Sequence, residues 1–135
     1  MKVYSDGGAR GNPGPSAAAF LIFSESGEAI KAEWRFLGRR TNNQAEYEAI
    51  IAALESAARL GADEVECNLD SELVGKHLTG EYRVKNPGLK TLWNKVQELK
   101  RCFKHVTFIN VPRTNKFIKE ADKLVNECLD QQAKY

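Results

Sequence analysis

Val3-Tyr4-Ser5-Asp6-Gly7-Gly8-Ala9-Arg10-Gly11-Asn12-Pro13-Gly14 decides how this chain folds. Val3 and Tyr4 suit a pleated, half-buried surface, so the stretch opens as a strand. Asp6 is expected where that strand stops. The glycines, Asn12 and Pro13 that follow are turn formers, which let the backbone lie close to a ligand or take positive φ. A carboxylate at a strand end, beside a loop nearly free of side chains, is placed to hold a cation against a phosphate. The plainer reading is a tight hairpin turn with an Asp at its start. Two phosphate-loop readings fail. A P-loop ends in Gly-Lys-Ser/Thr, and a dinucleotide loop opens a helix. Here Ala17-Ala18-Ala19-Phe20-Leu21-Ile22-Phe23 has strand character, so the loop joins two strands.

The rest of the chain follows from that hairpin. The second strand runs from Ala17 to Ser24, Glu25 to Glu28 make a turn, and the third strand covers Ala29 to Phe36. Short connections make these an antiparallel meander. Thr41 and Gln44 fit a capping box. The helix behind it repeats Ile50, Ala53, Leu54, Ala57 and Leu60 at helical spacing and ends at Gly61. Val65 to Asp70 is the fourth strand. Ser71 caps a short helix through Leu78, and Gly80 to Gly88 is a loop. A second long helix spans Leu89 to Phe103. Val106 to Val111 is the fifth strand, apolar on both sides and therefore expected to be covered on both. Arg113 to Ile118 is a loop, and the last helix turns Ala121, Val125 and Leu129 inward, with Lys119, Lys123 and Glu127 outward.

Composition sets the bounds. The chain has 135 residues, 42% hydrophobic and 28% charged, which fits one domain, residues 1–135, with a single core. No apolar run reaches the length of a membrane span. No basic-then-apolar leader precedes the first strand, so the expected location is the cytoplasm. Cys67, Cys102 and Cys128 are isolated, without metal-ligand spacing. The first and last of them fall at apolar-patterned positions and read as small core residues. A net charge of +2 permits a polyanionic partner without demanding one.

Four acids stand out by direction. Asp6 and Asp70 end strands. Glu46 and Asp122 fall in first helical turns and point toward or beside the apolar faces. Each has a plain use alone: a turn residue, a helix cap, a favourable charge at a helix start. Together they cannot stay ionised and unpaired, since carboxylates about 4 Å apart repel by roughly 4 kcal/mol at an effective dielectric of 20. Such a set raises its own pKa values or recruits cations. Oxygen ligands without His or Cys select hard ions, Mg²⁺ first and Mn²⁺ second. A pair of such ions can activate a water on one side of a phosphodiester and stabilise the leaving oxygen on the other.

Asp6-Gly7-Gly8-Ala9-Arg10-Gly11-Asn12-Pro13-Gly14, Thr41-Asn42-Asn43-Gln44-Ala45-Glu46, Asp70-Ser71-Glu72 and Ala121-Asp122 resemble the motifs of type 1 ribonuclease H, and of its archaeal-type branch in particular. The likeness covers nearly the whole chain. It implies an α/β three-layer fold: a mixed five-stranded sheet, three strands antiparallel and then two parallel, with helices on both faces. It implies Mg²⁺-dependent endonucleolytic hydrolysis of the RNA strand of an RNA–DNA hybrid, by a monomer that carries two ions and leaves 5′-phosphate and 3′-hydroxyl ends. By position, Asp6, Glu46, Asp70 and Asp122 would be the catalytic, metal-binding carboxylates. Gly8, Ala9, Asn12 and Asn43 would meet 2′-hydroxyls in the minor groove, with Asn42 and Ser71 beside them, and Thr41 would seat a phosphate of the DNA strand.

The chain departs from the pattern in three places. Many members carry a His before the last helix, where this chain has Val111-Pro112-Arg113-Thr114-Asn115; Arg113 either binds phosphate or only closes the loop. The basic protrusion of some relatives is replaced by the loop Gly80 to Gly88. Ser16-Ala17-Ala18-Ala19 stands where glycine is frequent. The alternative to an enzyme is a non-catalytic module that binds RNA–DNA hybrid or double-stranded RNA, whose mark would be a lost acid. None of the four is lost.

Overall fold

The computed structural model describes residues 1–133. Strands β1 (Lys2–Ala9), β2 (Gly14–Phe23) and β3 (Ala29–Arg40) come first, then helix α1 (Asn42–Arg59) and strand β4 (Glu64–Leu69). Helices α2 (Glu72–Thr79) and α3 (Pro87–Lys100), strand β5 (His105–Asn110) and helix α4 (Lys116–Ala133) follow. The strands form one five-stranded sheet in the order β3-β2-β1-β4-β5. β1–β2 and β2–β3 are antiparallel, while β1–β4 and β4–β5 are parallel. The mixed sheet expected from the sequence is therefore present.

The helices cover both faces. On one, Ile50 and Leu54 of α1 and Val96 of α3 pack on Phe20, Ile22 and Leu69. On the other, Ala121, Val125, Cys128 and Leu129 of α4 lie on Ala17 and Ala19. The small side chains of β2 let α4 sit close to the strand. The capping box of α1 is complete: Gln44 N donates to Thr41 Oγ1 at 3.1 Å, and Thr41 N donates to Gln44 Oε1 at 2.9 Å. Gly61, at φ +79°, follows the helix end in the left-handed region, which favours glycine. Cys67 and Cys128 are buried as expected, and Cys102 is exposed. His77 is structural as well: its Nδ1 lies 2.9 Å from the Tyr47 hydroxyl inside the core, and burial pushes its pKa down. No described helix is long and apolar enough to cross a membrane.

Several boundaries differ from the expectation, each for a local reason. β1 does not stop at Asp6, and β2 starts at Gly14, because their antiparallel ladder continues through Gly7↔Ala18 to Ala9↔Ser16. β3 likewise extends to Arg40 through an irregularity in register. α3 starts at Pro87, because Asn86 Oδ1 accepts from Leu89 N at 3.1 Å and proline suits the first helical position. α4 starts at Lys116, because Asn115 Oδ1 accepts from Phe117 N at 2.9 Å and Ile118 N at 3.2 Å. The expected loop from Arg113 to Ile118 thus closes at Asn115. The largest miss is β5. It was expected to be covered on both sides, but it forms the sheet's rim, with Ile109 exposed and Val106 and Phe108 only half covered. Apolar content alone does not distinguish a covered strand from a rim strand under one short helix.

Candidate active site

The site forms where β4 leaves β1. Their parallel ladder has its last pair at Tyr4↔Asn68, whereas β1 stays paired with β2 up to Ala9. Asp6 therefore lies two residues past the end of the parallel ladder, inside a strand that continues. Beyond that point one side of β1 has no neighbouring strand, and α1 takes its place. Glu46 Oε1 accepts from Gly7 N at 3.1 Å, and Asn42 Oδ1 accepts from Ala9 N at 3.2 Å. The spacings match, since two strand residues advance about 6.8 Å and four helical residues about 6 Å. Gly7 is what permits the approach: a Cβ there would collide with the Ala45 carbonyl and the Glu46 amide.

Into this gap the chain brings three carboxylates. Asp6 comes from β1, Glu46 from α1, and Asp70 from the residue after β4. One oxygen of each lies within 4.8 Å of the others. Asp6 and Glu46 are only 7% and 5% exposed. Asp70 is fixed by its neighbours: Val111 N donates to Leu69 O at 2.9 Å, and Asn110 Nδ2 donates to Ser71 O at 3.0 Å. Ser71 Oγ caps α2 by accepting from Val74 N at 3.3 Å.

Electrostatics follow from this crowding. Burial raises the pKa of Asp6 far above the ordinary carboxylate range, and the charges of Glu46, Asp70 and Asp122 add to the rise. Burial also raises Glu46, with Asp70 adding to it, while the Gly7 amide and Arg113 pull less strongly the other way. Without a cation the pair holds protons it would lose in water. Glu46 Oε2 is buried and has no hydrogen-bond partner. An orphaned carboxylate oxygen beside two further carboxylates is a fitting seat for a hard divalent ion.

Asp122 enters from the other layer. It lines the same cavity of about 600 Å³ and raises Asp6 through its charge, but it is exposed and stands outside the trio's mutual 4.8 Å. Three of the four acids converge, and the fourth forms the wall. Neither Glu46 nor Asp122 lies in a first turn, since α1 begins at Asn42 and α4 at Lys116. The helix-start explanation for these acids therefore loses its ground. Arg113 closes another side: its Nε lies 3.7 Å from Asp70 Oδ2, and its side chain is almost wholly exposed.

The other expected site residues divide into two groups. Gly8, Asn42 and Ser71 line the cavity. Ala9, Asn12, Thr41 and Asn43 do not; they belong to the adjoining end of β1, the β1–β2 loop and the start of α1. Asn12 Oδ1 is committed to the chain, accepting from Asn42 N at 3.0 Å. Sequence reasoning missed Lys119 and Glu72, which also line the cavity. Lys119 was expected to face outward. Its position three residues before Asp122, hence on the same helix face, was the available signal.

Comparison with known proteins bears on the whole chain. A family model described as reverse transcriptase-like matches residues 4–128. Ribonuclease HI of Halobacterium salinarum is 43% identical over 130 residues, which are 96% of this chain and 64% of that protein. The bifunctional protein Rv2228c of Mycobacterium tuberculosis is 38% identical over 136 residues, 98% of this chain and 37% of that protein. The chain thus spans less than two thirds of these curated relatives. Among solved structures, RNase H1 of Halobacterium salinarum superposes with a TM-score of 0.92 at 42% identity, over 96% of this chain and 97% of that one. LC11-RNase H1 in complex with RNA/DNA hybrid superposes with a TM-score of 0.90 at 39% identity, over 98% of each chain.

Proposed function

Because the chain belongs to the type 1 ribonuclease H family, we propose that it is an endonuclease that hydrolyses the RNA strand of RNA–DNA hybrids. The observation that carries this reading is the trio Asp6, Glu46 and Asp70, gathered within 4.8 Å around an orphaned Glu46 oxygen. A similar protein, LC11-RNase H1, has been solved with an RNA/DNA hybrid bound, which supports the choice of substrate. In the reaction a water oxygen joins phosphorus and the P–O3′ bond breaks. One RNA fragment keeps a 3′-hydroxyl and the other a 5′-phosphate.

Asp6, Glu46, Asp70 and Asp122 are the carboxylates we assign to two Mg²⁺ ions, with Mn²⁺ able to replace them. Bound there, the ions supply an activated water and charge stabilisation of the leaving oxygen. The chain's own contribution is placement. Gly7 N occupies Glu46 Oε1 and so reserves Oε2 for the cation side. The small residues Gly8 and Ala9 let a minor groove approach the backbone, where Asn12, Asn42 and Asn43 are proposed to read 2′-hydroxyls. Thr41, Ser71 and Arg113 are proposed to meet phosphates. We further propose that one 135-residue domain acts as a monomer in the cytoplasm. The three free cysteines suit a reducing compartment.

Incubating end-labelled RNA–DNA hybrid, double-stranded RNA and single-stranded RNA with the protein, in Mg²⁺ or Mn²⁺, tests the proposal. The expected result is internal cleavage of the hybrid that vanishes in EDTA and in Asp70→Asn. Binding without cleavage, unchanged by that substitution, would leave a hybrid-binding or double-stranded-RNA-binding module as the better description.

A further inference from the structure

Asp122 differs from the other three acids in having no burial to hold it. Its carboxylate has one side-chain donor among the described residues: Asn126 Nδ2, one helical turn along α4, at 3.5 Å from Oδ2 and 3.0 Å from the Asp122 carbonyl. The Asn126 amide is oriented from its other end. Arg10 Nη2 donates to Asn126 Oδ1 at 3.4 Å and to the Asn126 carbonyl at 3.4 Å. Arg10 is in turn anchored by Asp130 Oδ1 at 2.7 Å. An amide flip would set NH₂ against guanidinium and oxygen against carboxylate, so Arg10 fixes which end of Asn126 faces Asp122. Asp122, Asn126 and Asp130 follow at intervals of four on one helix face. Arg10 is the first residue after β1, at the start of the loop that carries Asn12.

We propose that Asn126, oriented by Arg10, is a positioning residue that aims the Asp122 carboxylate into the cavity and ties the β1–β2 loop to it. The proposal rests on the nuclease reading for its kinetic consequence, though not for its effect on cation binding. Nothing in the sequence marks Asn126, because a lone Asn on an exposed helix face has no pattern of its own.

Asn126→Asp and Asn126→Ala in the full chain separate positioning from scaffolding. The Asp variant still accepts from Arg10, now with charge, but cannot donate to Asp122. The Ala variant does neither and adds no charge. Hybrid cleavage at saturating Mg²⁺ should show kcat about tenfold lower in both variants with KM nearly unchanged, the lower end of what loss of an orienting partner does at a metal site. The melting temperature of Asn126→Asp should stay near that of wild type, because its charged contact with Arg10 offsets repulsion from Asp122 and Asp130 one turn to either side. Calorimetric titration with Mn²⁺, without nucleic acid, should show weaker binding in Asn126→Ala. Arg10→Ala should show a smaller loss in the same direction, and the Arg10→Ala/Asn126→Ala double variant should be no worse than Asn126→Ala alone. Wild-type kcat in Asn126→Asp, wild-type Mn²⁺ affinity in Asn126→Ala, or losses that multiply in the double variant would each overturn the proposal. If the unmodified protein fails to cut hybrid, the nuclease reading falls, and the Mn²⁺ titration still decides whether Asn126 positions Asp122.

Discussion

Replacing Asp70 with Asn should make the metal-free protein more stable while abolishing cleavage. The trio's oxygens lie within 4.8 Å of one another. Two full charges at that separation repel by about 3.5 kcal/mol at an effective dielectric of 20. Part of this is already relieved, because Asp6 and Glu46 respond to Asp70 and to burial by holding protons. The substitution also gives up the Asp70–Arg113 pair, but Arg113 is 93% exposed, and such a pair contributes under about 1 kcal/mol. The net expectation is a gain of about 1–2 kcal/mol, or about 4–8 °C in melting temperature for a chain of this size. Mg²⁺ should then erase the difference, because a ligand at ten times its Kd stabilises the native state by about 1.4 kcal/mol, and Asp70→Asn forfeits much of that. Calorimetric melts of both proteins in EDTA and in Mg²⁺ measure each quantity. A melting temperature for Asp70→Asn at or below wild type in EDTA would falsify the picture of a repulsive, cation-seeking cluster.

Three further outcomes follow from the same geometry. Asp6 and Glu46 have folded-state pKa values above their unfolded ones; their stabilising effect is complete below the ordinary carboxylate range and is lost as pH rises through the raised values. Metal-free urea unfolding should therefore give a lower free energy at pH 8.5 than at pH 5, with a shallower fall in Asp70→Asn, and equal slopes would contradict this. Gly7→Ala must push α1 away from β1, because its Cβ overlaps the Ala45 carbonyl. It should cost about 3 kcal/mol in urea unfolding and abolish cleavage, and a fully active, equally stable variant would show that the close approach is dispensable. Arg113→Ala should change stability by less than about 0.5 kcal/mol, given its exposure, and raise KM for hybrid in steady-state assays; an unchanged KM would assign Arg113 to loop closure alone.

The meander, the capped α1 and the inward Glu46 were legible because each has a local signature: alternation, a Thr–Gln capping box, and position on an apolar stripe. The cavity was legible only as a set of motifs. No single motif shows that β1 outlasts its pairing with β4, since that depends on where another strand turns away. The overhang makes Asp6 a mid-strand residue and turns the Gly-rich stretch into ladder up to Ala9. β5 misled because Val106, Phe108 and Ile109 look like a covered strand, and rim placement is a property of the whole sheet. Lys119 and Asn126 were unreadable as site neighbours for a related reason: polar residues on the outer part of a helix acquire meaning only once the groove beside them is known.

α1 replaces a missing strand with two acceptors four residues apart, and this constrains the length of the chain more tightly than its composition. One residue inserted between Asn42 and Glu46 would rotate one acceptor by about 100° around the helix axis relative to the other. Either Gly7 N or Ala9 N would then be left without an acceptor. Insertions and deletions in this turn are therefore barred, although Asn42 itself lies at the surface.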